Sequence, residues 1–171
     1  MSDLERKDIG NDMKVQDMIR MKEDIRKARA HAIRNEQYSR RCNVKVLGLM
    51  ESKDEDCKQK VVDEMEKKMP GKVTKEDIAV AHRVRSSRSK LPRPMIVRFE
   101  SREKQEEVIQ DRIKFKGTPI TIVEDVGRDI ILYINRLKNK PGIKQSWYWK
   151  GQIYMKNYHD RVTAVEWGTN I

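Results

Sequence analysis

One stretch limits the architecture more than any other: Arg93-Pro94-Met95-Ile96-Val97-Arg98-Phe99-Glu100. Its apolar run is short and β-branched at the centre. A Pro-interrupted basic segment precedes it and charged residues come after it, so it reads as a strand rather than a helix. Met95, Val97 and Phe99 then share one face, with Ile96 and Arg98 on the other. Pro94 stands at the strand entrance, where a missing N–H does least harm. A strand with one apolar face needs a sheet beside it and a covering layer.

The rest of the chain supplies both. Cys42 to Leu49 predicts a first strand with Val44 and Val46 inward, Asn43 and Lys45 outward, and Gly48 at its exit. Ser52-Lys53-Asp54-Glu55 has capping-box spacing and leads into Cys57, Val61, Met65 and Met69 at four-residue steps, closed by Pro70-Gly71. Ile78, Val80, His82 and Val84 alternate with Ala79, Ala81, Arg83 and Arg85, which predicts a second strand with His82 packed on its apolar side. After the opening stretch, Ser101 and Glu103 suit a helix start. Val108, Ile109 and Ile113 form that helix's buried stripe, Lys114 to Gly117 ends it, and Ile120 to Val123 is a fourth strand. The order is β-α-β-β-α-β, the split βαβ of a ferredoxin-like sheet. RNA-recognition-motif domains use the open face of such a sheet.

Two flanks complete an α+β chain: an N-terminal helix over 1–38, an RNA-recognition-motif-like domain over 39–125, and a small α+β C-terminal domain over 126–171. In the N-terminal part, Met18, Met21, Ile25, Ala28 and Ala32 recur at spacings of three and four, a short heptad seam. Gly10-Asn11-Asp12 is expected to interrupt the helix, with Asp12 capping the part beyond the break. Beyond Asp125, Ile130, Ile131, Ile134 and Leu137 predict an amphipathic helix. Two strands come next, from Ser146 to Tyr148 and from Gln152 to Lys156, joined through Lys150-Gly151, with a third over 162–167.

The 171 residues are 37% hydrophobic and 38% charged, with a net charge of +11 and a pI near 9.7. That balance favours a polyanionic partner. No apolar run approaches the ~20 residues of a membrane span, and the N-terminus lacks a signal-peptide core. Cys42 and Cys57 stand apart without metal spacing, as expected of reduced intracellular thiols. No nucleophile–base set, phosphate-cradling glycine loop or zinc spacing occurs, so a non-enzymatic protein without cofactors is expected.

The candidate nucleic-acid contacts are Lys45 and Arg98 on the sheet, and Arg83, Arg85, Arg88, Lys90 and Arg93 around the second-to-third-strand loop. Arg128, Arg136, Lys144, Tyr148, Trp149 and Lys150 extend the set into the C-terminal domain. Arg83 and Arg98 lead, because a guanidinium grips phosphate as a fork. Tyr148 or Trp149 is the candidate for base stacking. Without aromatics at the outward positions of the first and third strands, phosphate contacts must carry more of the affinity, giving weak sequence preference and steep salt dependence.

The chain resembles the first open-reading-frame protein of LINE-type non-LTR retrotransposons in its transposase-22-like form. The matching pieces are Arg40-Arg41-Cys42-Asn43-Val44-Lys45-Val46-Leu47-Gly48, Ala81-His82-Arg83-Val84, Arg93 to Phe99, Val123-Glu124-Asp125, and Ser146-Trp147 together with Gly151-Gln152-Ile153-Tyr154. They span roughly 36–156, and their order and spacing carry the likeness. The resemblance implies a trimerising coiled coil, a non-standard RNA-recognition motif without stacking aromatics, and a C-terminal domain. It implies a single-strand-binding chaperone that coats the element's transcript in cytoplasmic or nuclear ribonucleoprotein particles, and it suggests Trp147 as a core residue. The heptad seam is shorter than the family's, and residues 160–171 match no family motif. Two other readings fit the sequence: a cellular, sequence-specific RNA-recognition-motif protein, and a coiled-coil scaffold whose sheet domain binds protein.

Overall fold

The structure, a computed structural model, describes residues 3–84 and 92–166, with side chains from residue 12 on. Arg85, Arg88, Lys90 and Trp167 lie outside the described residues. Helix α1 (Asp3–Ser39) leads into β1 (Asn43–Leu47), α2 (Cys57–Glu66), β2 (Ile78–Arg83), β3 (Met95–Phe99), α3 (Arg102–Asp111) and β4 (Thr121–Glu124). Helix α4 (Arg128–Lys138) and strands β5 (Ile143–Trp149), β6 (Gln152–Asn157) and β7 (Val162–Val165) complete the chain. It divides into two compact units, Gln37–Gly127 and Met1–Glu36 with Arg128–Ile171.

Helix α1 is continuous, so the expected break at Gly10-Asn11-Asp12 is absent. A lone glycine costs a helix only about 1 kcal/mol, less than renucleating the helix beyond it. The seam residues Met18, Met21 and Ile25 are exposed.

In the central unit the sheet is antiparallel throughout, in the order β2-β3-β1-β4. Helix α2 packs against β2, and α3 against β1, β3 and β4. The covered face carries Val44, Val46, Ile78, Met95, Val97, Phe99 and Ile122, all buried. Val61 and Met65 from α2 and Val108 and Ile109 from α3 meet them. Gly48, at φ +79, leaves β1 where a Cβ would sit 2.0 Å from the Pro119 carbonyl oxygen.

Two helix ends differ from expectation. The Ser52 N–H does reach Glu55 Oε2 at 3.3 Å, but Asp54 adopts a positive φ of 54°. The helix is capped instead by Asp56, whose side chain accepts from the Gln59 N–H. Ser101 caps α3 as expected, through the Lys104 N–H at 3.1 Å. Past Asp111 the chain tightens into a 3₁₀ segment, Arg112–Phe115. The tighter turn rotates Ile113 outward, to 72% exposure, and buries Phe115 in its place.

Strand β2 holds the main departure. Ile78 pairs with Phe99, but Val80 pairs with Arg98, so Ala79 is an extra residue on one side of the ladder. Such a bulge inverts the alternation beyond it. Ala81 and Arg83 now pair with the inward Val97 and Met95, while Val80 and His82 pair with the outward Arg98 and Ile96. His82 is therefore exposed rather than packed.

Arg83 enters the protein, its side chain only 5% exposed. Its Nε donates to Glu55 Oε1 at 2.6 Å and its Nη2 to Glu55 Oε2 at 3.1 Å. The same guanidinium donates to the carbonyls of Leu49, Met50 and Arg93. Arg83 holds the Glu55 carboxyl down at about 2 against the opposing effect of burial, and Lys60 and the Ser52 N–H reinforce it.

A carboxyl depressed by folding adds stability above its unfolded pKa, and loses it as pH falls toward the folded value. The contribution of Glu55, about 3 kcal/mol, should thus be full above about pH 5 and fade toward pH 2. Urea denaturation of the wild type and Glu55→Gln should show a gap at pH 7 that closes in acid. A gap independent of pH would rule out the charge as its source.

In the C-terminal sheet the order is β5-β6-β7. Lys150 (φ 47) and Gly151 (φ 91) make a two-residue hairpin turn, the pairing of positive φ values that matches strand twist. Helix α4 packs on this sheet. It buries Ile130 and Leu137, while Ile131, one position off that stripe, is exposed.

Candidate nucleic-acid interface

The central unit leaves one sheet face uncovered. Across it run the rows Val80–Arg98–Asn43 and His82–Ile96–Lys45–Val123. Val80 and Val123 are exposed, as are His82 and Arg98. None of these outward strand positions is aromatic, and the chain's two phenylalanines, Phe99 and Phe115, are both buried. Arg98 occupies the middle of the face on β3, without an ion-pair or hydrogen-bond partner among the described residues.

The other predicted cations fare differently. Lys45 is on the same face, but its Nζ is 3.6 Å from Asp125 Oδ1. Arg83 is turned away and satisfied inside the fold, which takes it out of the phosphate-binding set. Arg93 is held by Glu51: its Nε and Nη2 donate to Oε2 at 3.0 and 2.8 Å, and its backbone N–H to Oε1 at 2.6 Å. That contact raises the Arg93 pKa and lowers that of Glu51. Arg85, Arg88 and Lys90 lie outside the described residues.

Asp125 is the polar centre of this unit, 2% exposed. Its Oδ2 accepts from Arg40 Nη1 at 2.9 Å and Asn43 Nδ2 at 3.1 Å. Its carbonyl accepts from Gln37 Nε2, and Gln37 Oε1 takes the Gly127 N–H. The buried Asn43 Oδ1 has no hydrogen-bond partner. Three side chains thus converge on one carboxylate, an arrangement that needs every donor placed.

On the helix side, lysines find acids nearby. Lys72 reaches Asp111 and Glu107, Lys104 reaches Asp77 and Glu107, and Lys75 reaches Asp56. That side's charge is largely balanced internally.

In the C-terminal unit Arg128 and Arg136 are exposed on α4, two turns apart on one ridge with exposed Leu132 between them. Lys144 and Lys156 share Asp160, at 3.1 and 2.8 Å, and their hydrogen bonds lower its pKa, Lys156 foremost.

Ser146 Oγ donates to the Ile134 carbonyl at 2.7 Å, which fixes the face of β5 that α4 covers. Tyr148 shares that face and pairs with buried Ile153. Trp147, Trp149 and Tyr154 stand on the other, partly exposed. The Trp147 and Tyr154 rings stack with centroids 5.8 Å apart at 20°, and Lys150 Nζ lies 6.0 Å from the Trp149 ring centre. Trp147 is therefore not on the helix-covered side, contrary to expectation, and Tyr148 is not on the open one. The pairing of apolar Ile153 with Tyr148 across a two-residue turn carried that signal in the sequence; Tyr154 was the ring it missed.

Among the described residues no three His, Cys, Asp or Glu side chains are grouped to hold a metal, and no helix is long and apolar enough to cross a membrane. No known protein-family profile matches the chain, and no curated protein matches it significantly.

Replacing Asp125 by Ala leaves Arg40, Asn43 and Lys45 without their shared acceptor. It should lower stability by about 2–3 kcal/mol in chemical denaturation. A midpoint shift within error would mean that water replaces the carboxylate without cost.

Proposed function

We propose that this protein binds single-stranded RNA, and DNA by the same contacts, mainly through phosphates and with little sequence preference. The observation that carries this reading is Arg98, an exposed arginine without an ion-pair partner among the described residues, at the centre of a sheet face whose outward strand positions carry no ring, in a chain of net charge +11. Single-strand binding by a basic surface without stacking rings depends on counterion release and reads no base.

The strand order β2-β3-β1-β4, with α2 and α3 behind it, supports reading the central unit as a ferredoxin-like RNA-recognition motif. With the motif resemblance, it favours a retrotransposon ribonucleoprotein component acting as a nucleic-acid chaperone without catalysis. Arg85, Arg88 and Lys90 belong to the proposed surface by sequence alone. Arg128 and Arg136 extend it on α4, and Arg83 is left out. The exposed stripe of Met18, Met21 and Ile25 supports self-association through α1.

Fluorescence anisotropy with a labelled single-stranded RNA tests the reading. Affinity should fall steeply between about 50 and about 200 mM salt. Arg98→Ala should weaken binding alike for unrelated sequences and reduce the salt slope by about one. Affinity insensitive to salt would overturn the proposal, and a loss confined to one sequence would point to base readout. Sedimentation of the same samples reports self-association.

A further inference from the structure

The open face of the C-terminal sheet has a chemistry unlike the rest of this surface. Gln145, Trp147 and Trp149 from β5, Gln152, Tyr154 and Lys156 from β6, and Val162 and Ala164 from β7 share it by register. No residue of these three strands is acidic, although 38% of the chain is charged. The buried apolar residues of the sheet and its helix lie elsewhere: Ile153 and Val165 on the α4 side, with Ile130 and Leu137 from the helix. Three rings thus gather on the side of the sheet opposite its helix.

We propose that Trp147, Trp149 and Tyr154 form a stacking platform for unpaired nucleobases, with Lys150 and Lys156 serving the flanking phosphates. This rests on the single-strand reading above and names its base-contacting part. The stacked Trp147–Tyr154 pair is already aligned to within 20°, so a planar ligand meets surfaces set in advance rather than side chains it must order. Base stacking on such rings is sequence-tolerant, because every base has a π face.

Lys150 is carried to the rim by the positive-φ turn next to Trp149. Lys156 is held by Asp160, an exposed ion pair of the weak class that a phosphate can displace. Charge selects the occupant: strands that carry no carboxylate of their own, rimmed by lysine with Asp160 alone beside Lys156 among the described ion pairs, suit a polyanion with flat apolar groups. The two units divide the labour, Arg98 holding backbone and these rings holding bases.

The full chain is titrated with oligoadenylate RNA and with a strand of equal length in which alternate bases are removed but the sugar–phosphate backbone is kept. The wild type should bind the intact strand about tenfold more tightly or better, the share of one or more stacked bases. Trp149→Leu, at the sheet's end beside the turn, should erase most of that preference while leaving binding to the base-depleted strand and its salt slope unchanged. Tyr154→Phe keeps the ring and should keep the preference. Circular dichroism and thermal melts identify any variant that fails to fold, and the wild-type comparison of the two strands stands without variants.

Equal affinity for both strands, with steep salt dependence, would overturn the platform and leave phosphate binding intact. Binding of neither strand would overturn both. If Trp149→Leu changed self-association in sedimentation but not the strand preference, the face would be a protein interface and the proposal would fall.

Discussion

Ile78 faces Phe99 across the β2–β3 ladder, and one residue, Ala79, then stands unpaired before Val80 meets Arg98. Without that extra residue Arg83 would project from the same open face as Arg98, level with Pro94 at the far end of the ladder. With it, Arg83 passes behind the sheet and becomes the donor that ties the β1–α2 connection, through Leu49, Met50 and Glu55, to the end of β2. A buried pair of this kind adds little net stability compared with an apolar replacement, but breaking one half is costly. Its value here is positional: four hydrogen bonds from one guanidinium fix two carbonyls and a carboxylate of a connection that has no ladder of its own, and a fifth goes to the Arg93 carbonyl. The same shift brings Val80 and His82 out, opposite Arg98 and Ile96, so the open face gains an apolar and imidazole edge where Ala79 and Ala81 would have stood.

The two sides of the central sheet differ in how their charges are met. Lysines on the helix side sit beside acids on α2, α3 and their connections. Each such pair is weak in water, but each sets an acid beside a cation. On the open face Arg98 has no ion-pair partner among the described residues, while Lys45 is compensated by a buried carboxylate. A basic chain therefore need not be basic everywhere; on the proposed reading, cations without acids beside them are the ones that would steer a polyanion. The acid-free strands of the C-terminal sheet obey the same logic with rings in place of apolar branches.

Much of this was legible in the residues. Period-two alternation located β1, β3 and β4, the N-cap of α3 was visible at Ser101, and Lys150-Gly151 marked the hairpin. What escaped was anything that depends on one residue of phase. The bulge at Ala79 has no local signature, and it moved Arg83 and His82 to opposite faces. The 3₁₀ turn after Asp111 did the same to Ile113 and Phe115. Trp147 and Tyr148 were exchanged because alternation names two faces without saying which one a helix will cover; Ser146, through the Ile134 carbonyl, decides it. Gly10 failed as a break because helix propagation on both sides outweighs one poor residue.

Asp125 shows why the cations of the open face are not equivalent. It lies at the exit of β4, one strand over from Asn43 and Lys45, and Gln37 clasps both its carbonyl and the Gly127 N–H. The entry and exit of the central unit are thereby held at one edge of its sheet. A phosphate drawn to Lys45 must compete with a buried carboxylate that also serves Arg40 and Asn43, and withdrawing Lys45 would leave that carboxylate less compensated. A phosphate drawn to Arg98 would meet no competing carboxylate among the described residues. On the proposed single-strand reading, attraction to backbone would be strongest at the centre of the face and weaker toward the Asp125 edge. That gradient comes from the fold's own polar bonding rather than from the number of lysines and arginines in the sequence.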